Sequence, residues 1–107
     1  MQRLILHCSA SSLVLLLLSA CTWVQLSNAG EMVEIRTASQ VAGCDRLGQA
    51  SSTTMDRLIL VDRSSERQQQ ELFTLARNEA ASMGGNAIVA ATDVTNGRQR
   101  FDVYNCP

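Results

Sequence analysis

The apolar positions of this chain fall into three kinds of pattern: a continuous run, short alternations and one helical stripe. From Leu4 to Leu18 they are nearly continuous, a run shorter than the about 20 residues that span a bilayer comfortably. Met32-Val33-Glu34-Ile35-Arg36 alternates apolar with polar and predicts a half-buried strand. A second extended segment is predicted over 41–50, where Gly43 and Gly48 suggest a bulge or a close backbone approach. Ser51-Ser52-Thr53-Thr54 reads as a loop by composition. Leu58-Ile59-Leu60-Val61, inside 57–61, is compact and apolar without a period that fixes its state.

The helical stripe is the clearest element, predicted over 66–83. Ser65 with Gln68 fits a capping box, and Glu66 suits the positive helix end. Leu72, Phe73, Ala76, Ala80 and Met83 recur at helical spacing, and Gly84 supplies a residue suited to the left-handed end. Glu79 projects between Leu75 and Met83, inside the apolar arc. A carboxylate there needs a partner, so a salt bridge or backbone contact pinning helix to sheet is expected; a binding or catalytic role is the other reading. Gly84-Gly85 follow a helix and so face its negative end, the wrong order for a phosphate loop.

The tail predicts a hairpin. Ala87-Ile88-Val89-Ala90-Ala91 reads as a buried strand, Asn96-Gly97 as a type I′ turn, and 98–106 as the returning strand. Pairing Thr95 with Arg98 sets Asp93 opposite Arg100, Thr92 opposite Phe101 and Ala90 opposite Val103. Gln99, Phe101 and Val103 then face the helix, and Arg98, Arg100, Asp102 and Tyr104 face outward. Together these elements predict an α+β fold: a small antiparallel or mixed β-sheet of about four strands, in ββαββ order, packed on one α-helix.

The start of the chain changes the picture. A short cationic beginning, the apolar run and small residues at Ser19-Ala20 form a secretory signal. Leu18-Ser19-Ala20-Cys21 resembles a bacterial lipobox, in which the cysteine receives a diacylglyceryl group and becomes the mature N-terminus. The expected organisation is a signal peptide over 1–20, a lipidated N-terminus and tether over 21–30, and a small domain over 31–107. Trp23, Val24 and Leu26 either rest in the membrane interface or pack on the domain. Thr22 rather than Asp follows Cys21, which by the sorting rule associated with enteric lipoproteins implies the outer membrane, on its periplasmic face.

Of four cysteines, Cys8 leaves with the signal and Cys21 goes to lipid. Cys44 and Cys106 remain, and in an oxidising compartment they read as one structural disulfide, the alternatives being a metal site or a redox-active pair. The only histidine, His7, is lost with the signal, which removes the Ser-His, Cys-His and His-metal arrangements. All nine basic residues are arginines, scattered against ten acidic ones. With no basic run, nucleic acid is not an expected partner. No cofactor is expected beyond the covalent diacylglycerol and N-acyl chain on Cys21.

Ala76-Arg77-Asn78-Glu79-Ala80-Ala81-Ser82-Met83-Gly84-Gly85-Asn86, Cys44-Asp45-Arg46-Leu47-Gly48, Gly30-Glu31-Met32-Val33 and the terminal Tyr104-Asn105-Cys106 add a further observation. With the lipobox, they resemble a family of small bacterial lipoproteins catalogued as a domain of unknown function (4156). The resemblance covers nearly the whole mature chain and implies no known enzymatic activity. A more distant similarity is to the outer-membrane lipoprotein that senses envelope stress for the Rcs phosphorelay. This chain departs from it in having one candidate disulfide and no long proline-rich linker.

The functional expectation is a non-catalytic binding or stress-sensing lipoprotein of the cell envelope, anchored to the bilayer through Cys21. An envelope protein is its candidate partner, and Arg98, Arg100 and Tyr104 form its candidate contact face. The alternatives are a redox-responsive disulfide and an envelope enzyme using carboxylates such as Glu79 and Asp45.

Overall fold

The computed structural model describes residues 24–54 and 65–107. The elements are α1 (Asn28–Glu31), β1 (Glu34–Ile35), a 3₁₀ turn (Ala38–Val41), β2 (Asp45–Thr53), α2 (Ser65–Ser82), β3 (Ala87–Ala90) and β4 (Arg98–Asn105). Setting aside the two short helical turns, this is the ββαββ order of an α+β fold. The sheet runs β1-β3-β4-β2 and is mixed: β1 pairs parallel with β3, and β4 pairs antiparallel with both β3 and β2.

Helix α2 packs on this sheet through Leu72, Ala76 and Ala80, all fully buried. Two of the three are alanines, so the helix can approach closely. It ends in a Schellman motif: the Gly85 N–H donates to Ala80 O (2.8 Å), the Gly84 N–H to Ala81 O (3.1 Å), and Gly84 has φ 81°. The helix begins at Ser65, one residue before the predicted start, so the position preceding it falls outside the described residues. Facing the helix are Val33, Ala50, Ile88, Phe101 and Val103. Phe73 meets Phe101 with ring centroids 5.7 Å apart, and each fully buried large side chain contributes roughly 1.5–3 kcal/mol.

The sheet's other face carries a second, smaller cluster. Val41, Ala87 and Cys106 are buried there, with Cys44, Val89 and Tyr104 packed against them. Val41 comes from the 3₁₀ turn, not from a strand as predicted. The turn is held by Thr37, whose N–H donates to Gln40 Oε1 (2.9 Å), a side-chain contact that outcompetes extended pairing locally.

Three further expectations need correction. Ser51, Ser52 and Thr53 are not a loop; they pair with Arg100, Gln99 and Arg98 as the last residues of β2. Ala50, Ser52 and Thr54 are buried while Ser51 and Thr53 are exposed, so the period of two is present with hydroxyls in place of aliphatic groups. The first strand is two residues long, not five. The hairpin keeps its Thr95–Arg98 pairing and its type I′ turn, with Asn96 and Gly97 at φ 52° and 70°. Beyond the turn, however, Ala90 pairs with Phe101 rather than Val103.

The cause lies at 91–94. The Ala91 and Thr92 N–H groups both donate to Arg100 O (2.9 and 3.4 Å), and the Arg100 N–H donates to Thr92 Oγ1 (3.1 Å). Two extra residues are thereby accommodated, Val94 packs on the main core, and Asp93 is no longer opposite Arg100. A shift of two leaves the side chains of the paired β3 and β4 residues on their predicted faces. A bulge was expected near Gly48 and is present, with Leu47 as the unpaired residue between Arg46 and Gly48. The apolar run at 57–61 lies outside the described residues.

Candidate functional site

Cys44 and Cys106 form the disulfide, across a sequence separation of 62. Cys106 is 7 % exposed, and the bond ties the end of the 3₁₀ segment to the end of β4. Asn86 reinforces it. Its Nδ2 donates to Cys106 O (2.8 Å), and the Cys106 N–H donates to its Oδ1 (2.7 Å). An amide side chain thus imitates a strand residue and extends the ladder past Asn105. Sequence reasoning did not assign Asn86 this role.

The segment before β1 is the second constructed feature. Residues 24–30 were expected to be tether, yet from Gln25 onward they dock on α2. The Asn78 amide holds them in both senses: Nδ2 donates to Gln25 O (2.9 Å), and Oδ1 accepts from the Ser27 N–H (2.8 Å). Ser27 caps α1, its Oγ accepting from the Gly30 N–H (2.9 Å). Arg77, one residue before Asn78, donates from Nε to Val33 O (2.8 Å) and from Nη2 to Glu31 O (3.2 Å). Gly30 is buried, and a Cβ there would collide with Asn78 Oδ1. Of the apolar residues expected near the anchor, Leu26 lies against Gly30, Val24 is exposed, and Trp23 falls outside the described residues.

Glu79, in the same helix, does not have the predicted role. It is exposed and its side chain has no ion-pair partner among the described residues. The buried stripe is the narrow row Leu72-Ala76-Ala80, and Glu79 lies outside it on the rim, where water solvates the carboxylate. Asp45 is likewise exposed, on β2 rather than on the helix.

The predicted contact face divides in two. Arg98 and Arg100 are exposed and line an open depression of about 590 Å³ with Ser51, Thr53, Asp93 and Asn96. Tyr104 is half-buried and belongs to the second core cluster, four residues or about 13 Å along the strand from Arg100. Between them Asp102 accepts from Arg46 Nη2 (3.0 Å) and Gln49 Nε2 (3.3 Å). The outward face is therefore a polar depression at the hairpin end and a covered patch at the disulfide end.

A family model described as "Domain of unknown function (DUF4156)" matches residues 24–106. The chain belongs to this family. The match begins where the docked segment begins, so that segment is part of the family domain and not a leash preceding it. Arg77 and Asn78, two of the motif residues, are the ones that hold it. No curated protein and no solved structure matches the chain, and no comparison supports the expected similarity to the Rcs sensor.

Proposed function

We propose that this is a lipid-anchored, non-catalytic lipoprotein of the bacterial envelope, on the periplasmic face of the outer membrane, that binds another envelope component or reports envelope stress. The observation carrying the reading is Leu18-Ser19-Ala20-Cys21, a lipobox after an apolar run, standing three residues before the family domain starts. The staple supports an exported location, because such bonds persist in oxidising compartments.

The binding surface under this reading is the depression beside Arg98 and Arg100. Two exposed guanidiniums against one carboxylate, Asp93, with hydroxyl and amide side chains around them, suit an acidic or hydrogen-bonding envelope partner. Metabolic labelling with a fatty-acid analogue tests the anchor: the native chain should carry label in the membrane fraction, and Cys21→Ser should lose both. Label that survives this substitution would refute the reading. Photo-crosslinking from position 100 in living cells tests the surface. A discrete adduct lost in Arg98→Glu supports it, and the absence of any adduct contradicts it.

A further inference from the structure

We propose that residues 24–36 form a bilayer-contact surface, and that Arg77 and Asn78 hold it against α2 so that the domain lies on its membrane. This rests on the reading that Cys21 is acylated. From Cys21 to Gln25, where Asn78 first grips the backbone, there are four residues, which reach at most about 14 Å. A domain gripped that close to its anchor stays against the headgroup layer, since the headgroup regions bring a hydrocarbon core of about 30 Å to about 40–45 Å in all.

The surface chemistry agrees. Among the described residues the exposed large apolar side chains are Val24, Met32, Ile35 and Leu47, with Met32 76 % exposed. Three of the four fall within this segment. An exposed methionine and two β-branched residues close to the acyl anchor add apolar contact at the interface, where burial of such side chains strengthens membrane binding. The local charges balance: Glu34 pairs with Arg36 (2.7 Å), and Glu31 lies beside Arg77, whose Nη2 reaches its carbonyl. No excess negative charge opposes an anionic lipid surface.

The grip determines orientation. Arg77 and Asn78 contact five backbone positions of the segment or its cap through Gln25, Ser27, Glu31 and Val33 together with the close fit at Gly30. They stand 12 and 13 residues after the start of α2, about 20 Å along the helix axis. The depression beside Arg98 and Arg100 lies toward the opposite end, where Gln69 near the helix start meets Gln99 (2.7 Å). A bilayer at the gripped end leaves that depression facing away from it.

The test uses the full acylated protein, purified from membranes and reconstituted into phosphatidylethanolamine–phosphatidylglycerol vesicles with brominated acyl chains. Trp23→Phe removes the native tryptophan, and single reporters are placed by Met32→Trp and, as a control, Arg100→Trp, both at exposed positions. The Met32→Trp emission should fall by roughly half relative to unbrominated vesicles, as for a ring about 5–10 Å into the interface; the Arg100→Trp emission should not change. Adding Asn78→Ala, or Gly30→Ala as an independent release, should abolish most of the quenching while the protein still floats with the vesicles. An unquenched Met32→Trp protein that floats overturns the contact surface, and quenching untouched by both releases overturns the grip. A protein that does not float, with Cys21 unacylated by mass, overturns the lipoprotein reading and the surface with it.

Discussion

Breaking Cys44–Cys106 should remove a large part of the domain's stability. The bond closes a loop spanning a sequence separation of 62, for which the chain-entropy relation gives about 4 kcal/mol at 25 °C. The family domain is 83 residues long, from 24 to 106, and at typical values such a domain has roughly 4–12 kcal/mol in total. The expected loss is therefore a third or more of the whole. For a domain of this size it corresponds to a fall of about 15–30 °C in Tm. Urea titration followed by circular dichroism, comparing the oxidised protein with Cys44→Ala/Cys106→Ala, measures it. The variant should also show a larger m-value, because its unfolded chain is less compact. A difference below about 1 kcal/mol with unchanged m would show that the bond contributes little. It would mean that Asn86 and the Val41–Ala87 cluster hold the end of β4 without help.

Other substitutions separate the remaining contributions. Gly84→Ala and Gly85→Ala should both destabilise, for different reasons: a Cβ at Gly84 meets open space but φ is 81°, whereas a Cβ at Gly85 meets Val103 Cγ1 at 2.5 Å. Asparagine tolerates the left-handed region, so Gly84→Asn should recover part of the about 1–2 kcal/mol lost by Gly84→Ala, while Gly85→Asn should be worse than Gly85→Ala; thermal melts of the four variants decide. Asn86→Ala deletes two partly buried hydrogen bonds to Cys106 and should cost about 2–3 kcal/mol in the same titration. Glu79→Gln changes an exposed rim residue and should move stability by no more than about 0.5 kcal/mol; a loss of several times that would restore Glu79 to the core-facing role.

Which parts were legible follows from where the deciding forces act. The helix, its glycine end and the Asn96-Gly97 turn are written in local signals, and each is present as read; the Cys44–Cys106 staple joins residues 62 apart and was legible from the cysteine inventory instead. The parallel pairing of β1 with β3 is not local, because it joins residues 34–35 to 87–88, 53 positions further along the chain. The end of β2 was hidden because Ser52 and Thr54 occupy buried positions that a hydrophobic pattern assigns to aliphatic side chains. The hairpin register slipped by two because Thr92 Oγ1 binds the Arg100 N–H, a side-chain contact invisible to strand alternation. Docking of 25–31 depends on an asparagine amide, an arginine and a glycine too small to collide. None of these carries a hydropathy signal, although Arg77-Asn78 already stood out as a motif. Glu79 was misplaced because a wheel assigns a broad apolar arc, whereas α2 buries only one narrow row against a small sheet.

Whether this is a disulfide-stapled lipoprotein is decided by the intact mass of the membrane-extracted protein, alkylated before and after reduction. The expected mass is that of a chain beginning at a diacylglyceryl- and N-acyl-modified Cys21, with Cys44 and Cys106 accepting alkylating reagent only after reduction. A chain retaining 1–20, or one starting at an unmodified Cys21 with both remaining thiols free, would contradict it.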